Sequence, residues 1–125
     1  MARFIILRRR KTMSKYMQLT VRVRSYHKKG LEADYPKFAK ALSFLDEKWT
    51  GQDFSLFDIA GRVDRLLYDA EGNPSFREIL LKHKDTLRTL HKTAESHIAD
   101  WNLAEADKTL YQIEDVFDQI EWELG

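Results

Sequence analysis

HIADWNLAEADK, residues 97–108, decides between one long helical rod and two helices folded back on each other. Upstream, Phe76, Leu80, His83, Leu87, Leu90, Ala94, His97 and Trp101 advance by fours and threes, which places one stripe on one side of a helix. Downstream, Leu103, Ala106, Leu110, Ile113, Phe117, Ile120 and Leu124 do the same. The two stripes are out of phase, because continuing the first would bring Ala104 and Lys108 onto the seam. Asn102 followed three residues later by Glu105 is a capping-box pattern, so a second helix is expected to start there. The chain is therefore read as breaking near Asp100–Asn102 and closing an antiparallel hairpin, with one unbroken helix as the competing reading.

Outward from this turn, punctuation is sparse and falls where helices end. Asn73-Pro74 is a turn signal, and Ser75 reads as the N-cap of the first hairpin helix. Leu56, Ile59, Ala60, Val63, Leu66 and Leu67 form another amphipathic helix, capped by Ser55 and ending before DAEGNP (69–74). Residues 36–48 make one more: Pro36 suits a first helical position, and Phe38, Ala41, Leu42 and Leu45 line its stripe up to Trp49.

Residues 14–29 fit two patterns. Leu19, Val21 and Val23 alternate with Thr20, Arg22 and Arg24, as in a strand. Tyr16, Leu19, Val23 and Tyr26 step as in a helix, and Ser14, His27-Lys28-Lys29 and Gly30 supply helix ends. Helix is the favoured expectation; a strand would need residues 4–8 or another chain as partner. The fold class expected is all-α, a single-domain bundle of four to five helices ending in a long antiparallel helical hairpin. Residues 1–13 read as a basic arm on a bundle domain of residues 14–125.

A chain of 125 residues, 43% hydrophobic and 33% charged, suits one domain with one modest core. FIIL (4–7) falls far short of the ~20 apolar residues of a membrane span and of the ~7 of a secretory signal. The absence of cysteine excludes disulfides and thiolate chemistry. A cytoplasmic location is expected; the alternative is an organellar presequence, since residues 1–30 are Arg-rich and acid-free. Met13 and Met17 also leave room for a later start.

Three of the four histidines, His83, His91 and His97, lie in one helical stretch. His83 and His97 are on its seam but about 21 Å apart at about 1.5 Å per residue, and His91 is spaced i,i+4 from neither. The expectation is no metal site and no cofactor, with histidines pairing across the seam to carboxylates; His83 should lie near Ile120 and Glu121. Histidine phosphotransfer domains are also small bundles, but their His-x-x-Lys-Gly pattern is absent: His91 is followed by Lys92, Thr93 and Ala94. No nucleophile–base constellation or phosphate loop stands out, so the chain is expected not to be an enzyme.

Charge is segregated instead. Residues 1–30 hold Arg3, Arg8, Arg9, Arg10, Lys11, Lys15, Arg22, Arg24, Lys28 and Lys29 and no acid, a charge of +10. From Asn102 onward Lys108 faces seven carboxylates, a charge of −6. Trp122 falls on the face opposite the last helix's seam, beside Asp115, Asp118 and Glu121, where an indole among carboxylates suits an Arg or Lys of the chain's own basic segment, of a second copy or of a partner. A regulatory or adaptor-type protein using these four residues is the favoured expectation. The alternative is a nucleic-acid-binding regulator using Arg8, Arg9, Arg10, Lys11, Arg22, Arg24, Lys28 and Lys29. In its strand version, residues 17–69 resemble ribbon-helix-helix repressors, which implies a dimeric ribbon entering the major groove. Ser25–Tyr35 departs from that family, which passes from strand to helix almost at once.

Overall fold

Proline at a first helical position has no N–H to leave unsatisfied and brings a helical φ with it, and this fixes the start of the longest helix. In the computed structural model, which describes residues 4–7, 19–23, 31–45, 49 and 55–125, helix α5 spans Pro74–Ala99. Its N-cap is Asn73, whose Oδ1 accepts from the Phe76 amide at 3.4 Å, and Ser75 lies inside the first turn. Helix α6, Leu103–Glu123, returns antiparallel to it. The fold is helical and ends in the long hairpin that the out-of-phase stripes imply.

The turn itself is closed by backbone geometry. Asn102 donates to the His97 carbonyl at 2.8 Å and Trp101 to that of Ile98 at 3.0 Å, the paired bonds of a Schellman motif. The donor of the inner bond must be left-handed, a place glycine usually fills; here it is Trp101, with φ 61°. The capping box expected at Asn102 does not form. Asn102 makes no side-chain cap bond, and Glu105 pairs with Lys108 at 3.2 Å. A capping box exists instead at Ser55: its Oγ accepts from the Asp58 amide and Asp58 accepts from the Ser55 amide, both at 3.1 Å.

The helix expected over residues 56–67 is two helices, α3 at Leu56–Gly61 and α4 at Val63–Asp69, broken at Arg62 and followed by a 3-10 turn at Ala70–Gly72. Ahead of them α1 is Leu31–Asp34 and α2 is Pro36–Ser43, shorter than the 36–48 expected; residues 46–48 lie outside the described residues. The core gathers at α2, α5 and α6. Phe38 lies between Phe76 and Phe117, with ring centroids 5.9 and 5.2 Å away, and Leu42, Leu66, Leu80, Ile113 and Ile120 close round them. Each such fully buried side chain contributes about 1.5–3 kcal/mol. Trp49 is buried too, its indole donating to Asp69 Oδ2 at 2.8 Å.

Residues 19–22 are not helical. Strand β2, Leu19–Arg22, pairs antiparallel with β1, Phe4–Leu7, in the register Phe4↔Arg22 to Leu7↔Leu19. The helix end signals at Ser14 and Gly30 lie outside the described residues. At 19–22 the alternation and β-branching prevail because a partner strand is available in the same chain, and pairing satisfies the backbone groups that face it. The ribbon pairs residues from both sides of the boundary drawn at residue 13. Both strands come from one chain, whereas the ribbon-helix-helix resemblance implies strands from two copies. Val21 and Val23 pack beside the hairpin turn with Ile98, Ala106 and Trp101. Among the described residues, no helix is long and apolar enough to cross a membrane.

Candidate protein-binding face

Helix α6 turns one arc to the core and another to solvent. Ala106, Thr109, Ile113, Phe117 and Ile120 are buried, and the Thr109 hydroxyl is satisfied by donating to the Glu105 carbonyl at 3.0 Å. Leu110, assigned to the seam by its spacing, is only half-buried, and Leu103 is exposed. On the opposite side Tyr111, Asp115, Asp118 and Trp122 follow one another at steps of four, three and four, so they form one outward stripe. Trp122 is 76% exposed and Tyr111 61%. Two aromatic rings about 16 Å apart along the axis thus bracket two carboxylates.

The acidic residues beside Trp122 have different tasks. Glu121 is half-buried and turns towards α2, where its two oxygens accept from the Lys37 amide at 3.0 Å and the Phe38 amide at 2.8 Å. Those are orphan donors of the first helical turn, and the side chain of the N-cap residue Tyr35 does not cap them. A carboxylate from the far end of the chain therefore serves as the cap, on the side of the helix dipole that favours negative charge. Asp118 accepts a hydrogen bond from the Tyr35 hydroxyl; burial first, then this bond and the surrounding carboxylates, push the phenol well above its ordinary 10.0. Asp115 makes no ion pair or hydrogen bond among the described residues, and its charge faces solvent. Of the four residues expected to bind a partner, Trp122 and Asp115 are free to do so, Asp118 is shared with Tyr35, and Glu121 is committed to α2.

The histidines separate into distinct environments. His83 Nε2 lies 2.5 Å from Glu123 Oε2, and Lys82 Nζ lies 2.5 Å from Glu123 Oε1, so the cross-seam pairing falls one turn-edge beyond Ile120 and Glu121. Hydrogen bonds from Lys82 and then His83 lower the Glu123 carboxyl to about 2. His91, placed off the seam by its spacing, is buried, as is Ile98, while His97 and Trp101 are only half-buried. The reason is that α5 packs against α6 on one side and against α3 and α4 on the other, so its buried arc is wider than one seam. The His91 ring stacks on Phe57 at 4.4 Å, and its Nδ1 is 3.1 Å from Glu95 Oε1. An open groove of about 520 Å³ runs beside it, lined by Gly61, Asp85, Arg88, Thr89, Lys92 and Glu95, with acids and bases interleaved. Among the described residues no three His, Asp or Glu side chains gather as a metal site.

Of the basic candidates, Arg22 is half-buried in β2 and lines a hollow of about 250 Å³ with Asp107, Leu103 and Leu110 of α6. Arg8, Arg9, Arg10, Lys11, Arg24, Lys28 and Lys29 lie outside the described residues. Sequence reasoning missed Tyr111 as the second outward aromatic; its spacing of eleven residues from Trp122, three helical turns, is the signal that finds it. It also missed Glu95, which is i,i+4 from His91. Comparison of the chain with protein-family models, with curated proteins and with solved structures finds no match in any of the three.

Proposed function

We propose that this is a non-catalytic, adaptor-type interaction protein whose docking surface is the outer face of α6, and that it takes a basic protein segment. The observation that carries the reading is Trp122, 76% exposed on the same stripe as Tyr111, Asp115 and Asp118. Water-exposed indole is the side chain most often found as an interface anchor, and it receives guanidinium or ammonium groups on its face. Asp115 holds an unspent charge beside it, and a cation arriving there gains both contacts at once.

The test is acrylamide quenching of tryptophan fluorescence. Trp49 is buried and Trp101 half-buried, so the accessible signal comes chiefly from Trp122. An Arg-rich peptide should protect it at low ionic strength, and Asp115→Ala should weaken that protection. Quenching that stays the same at every peptide concentration refutes the reading.

A nucleic-acid-binding regulator is the second reading, supported by the ten cations and no acid of residues 1–30. Titration of labelled duplex DNA and RNA separates the two: absence of binding at low ionic strength removes it.

A further inference from the structure

We infer that the two-stranded ribbon is a detachable strap over the hairpin turn, and that Trp101 is the latch that sets how readily it lifts. Two oddities meet in that one residue. Its backbone is left-handed, at φ 61°, a conformation that costs a bulky side chain and that glycine takes freely. Its indole Nε1 is shut off from solvent and meets no acceptor among the described residues, although a buried donor is nearly always paired. What offsets these costs is packing: the indole shares with Val21 and Val23 of the ribbon a small cluster on Ile98 and Ala106. When the strap lifts, that cluster opens and water reaches Nε1.

The ribbon's seat is slight. Only Ile98 and Ala106 are fully buried in it, while Val21, Val23 and Trp101 are half-buried. The cluster stands apart from the main core, which of residues 21–23 only Val23 also touches. A hollow of about 250 Å³ lies between Val21, Arg22 and Val23 on one side and Ile98, Leu103 and Leu110 on the other. A segment with few buried contacts and a gap beside it opens at a small fraction of the free energy of global unfolding. A lone two-stranded ribbon is barely stable in water, so once lifted it also unpairs. Lifting bares Ile98 and Ala106 beside Leu103, itself 44% exposed, so the strap covers an apolar end of the hairpin. Leu87 and Ile113 belong to the main core and hold the α5–α6 seam without it.

Hydrogen exchange on the full chain, followed by NMR, tests this. After correction for intrinsic rates, the hydrogen-bonded amides of Leu19–Arg22 should open at least about tenfold more often than the Leu87 amide. The Trp101 indole N–H should show the same opening constant as those ribbon amides, a comparison that needs no variant. Trp101→Gly removes the latch and suits the turn. It should raise the ribbon's opening constant about tenfold or more and change that of Leu87 by a smaller factor. A ribbon that opens as rarely as Leu87, or an indole N–H whose opening constant differs from the ribbon's, overturns the inference. So does a Trp101→Gly effect equal at both places.

Discussion

Gly61 ends α3 against the imidazole of His91, and a methyl group added there would lie 2.4 Å from Nε2 and 2.8 Å from Cδ2 and Cε1. Gly61 is not in the left-handed region, so Gly61→Ala brings no backbone strain and isolates that contact. The ring has little freedom to retreat, being stacked on Phe57 at 4.4 Å and held at Nδ1 by Glu95 at 3.1 Å. Two effects compete. Alanine in a helix is favoured over glycine by about 0.5–1 kcal/mol. Overpacking a filled site costs about 1–3 kcal/mol. The steric effect wins, leaving a net loss of about 0.5–2 kcal/mol, or a Tm lower by about 2–8 °C for a chain of this size. With His91→Ala already in place the obstacle is gone, and Gly61→Ala should stabilise by about 0.5 kcal/mol. Urea unfolding of the four proteins closes the cycle, with a coupling of about 1–3 kcal/mol. An effect of Gly61→Ala that is equal in both backgrounds would refute the account.

Four further outcomes follow from the same contacts. Glu121→Ala leaves the Lys37 and Phe38 amides without their cap and should cost about 0.5–2 kcal/mol in chemical unfolding; a change within error would deny the cap its role. The Glu123 carboxyl is held at about 2 against its ordinary 4.5, below its unfolded value, so its contribution is complete above about 4.5 and is lost as pH falls towards 2. Glu123→Gln should flatten the stability–pH curve within that window, measured by urea unfolding at stepped pH, and an unaltered slope there would count against the pairing. Trp101→Gly and Trp101→Ala both delete the indole, but only glycine relieves φ 61°, so the glycine variant should be the more stable by about 1 kcal/mol. Leu87→Ala, at a fully buried site, should cost about 2–5 kcal/mol and clearly exceed Leu110→Ala at its half-buried one; equal losses would misplace the core.

The hairpin was legible because phase is a local property: fifty residues of threes and fours slip out of register at a single point, and the chain turns there. Trp122 was legible for the same reason, as the residue opposite a clear stripe. His91 and Ile98 were not, because a stripe marks one buried side and α5 has two. The split of residues 56–67 carried a hint in Gly61, a residue whose lack of a side chain makes room for His91, thirty residues away in sequence. For residues 19–22 the local end signals favoured helix while pairing with Phe4–Leu7 favoured strand, and pairing is non-local. Glu121 read as a solvent-facing acid for want of any sequence sign that its oxygens end on amides 84 and 83 positions earlier.

That last separation bears on biosynthesis. The amides of Lys37 and Phe38 close on Glu121, and the ring of Phe38 lodges against Phe117. Helix α2 thus emerges from the ribosome long before the residues that receive it. At about 5–20 residues per second, the intervening stretch takes about 4–17 s to translate. Until then Phe38 can meet Phe76 but not Phe117, and the Lys37 and Phe38 amides lack their cap, a window in which holding by a chaperone would raise the yield of folded protein.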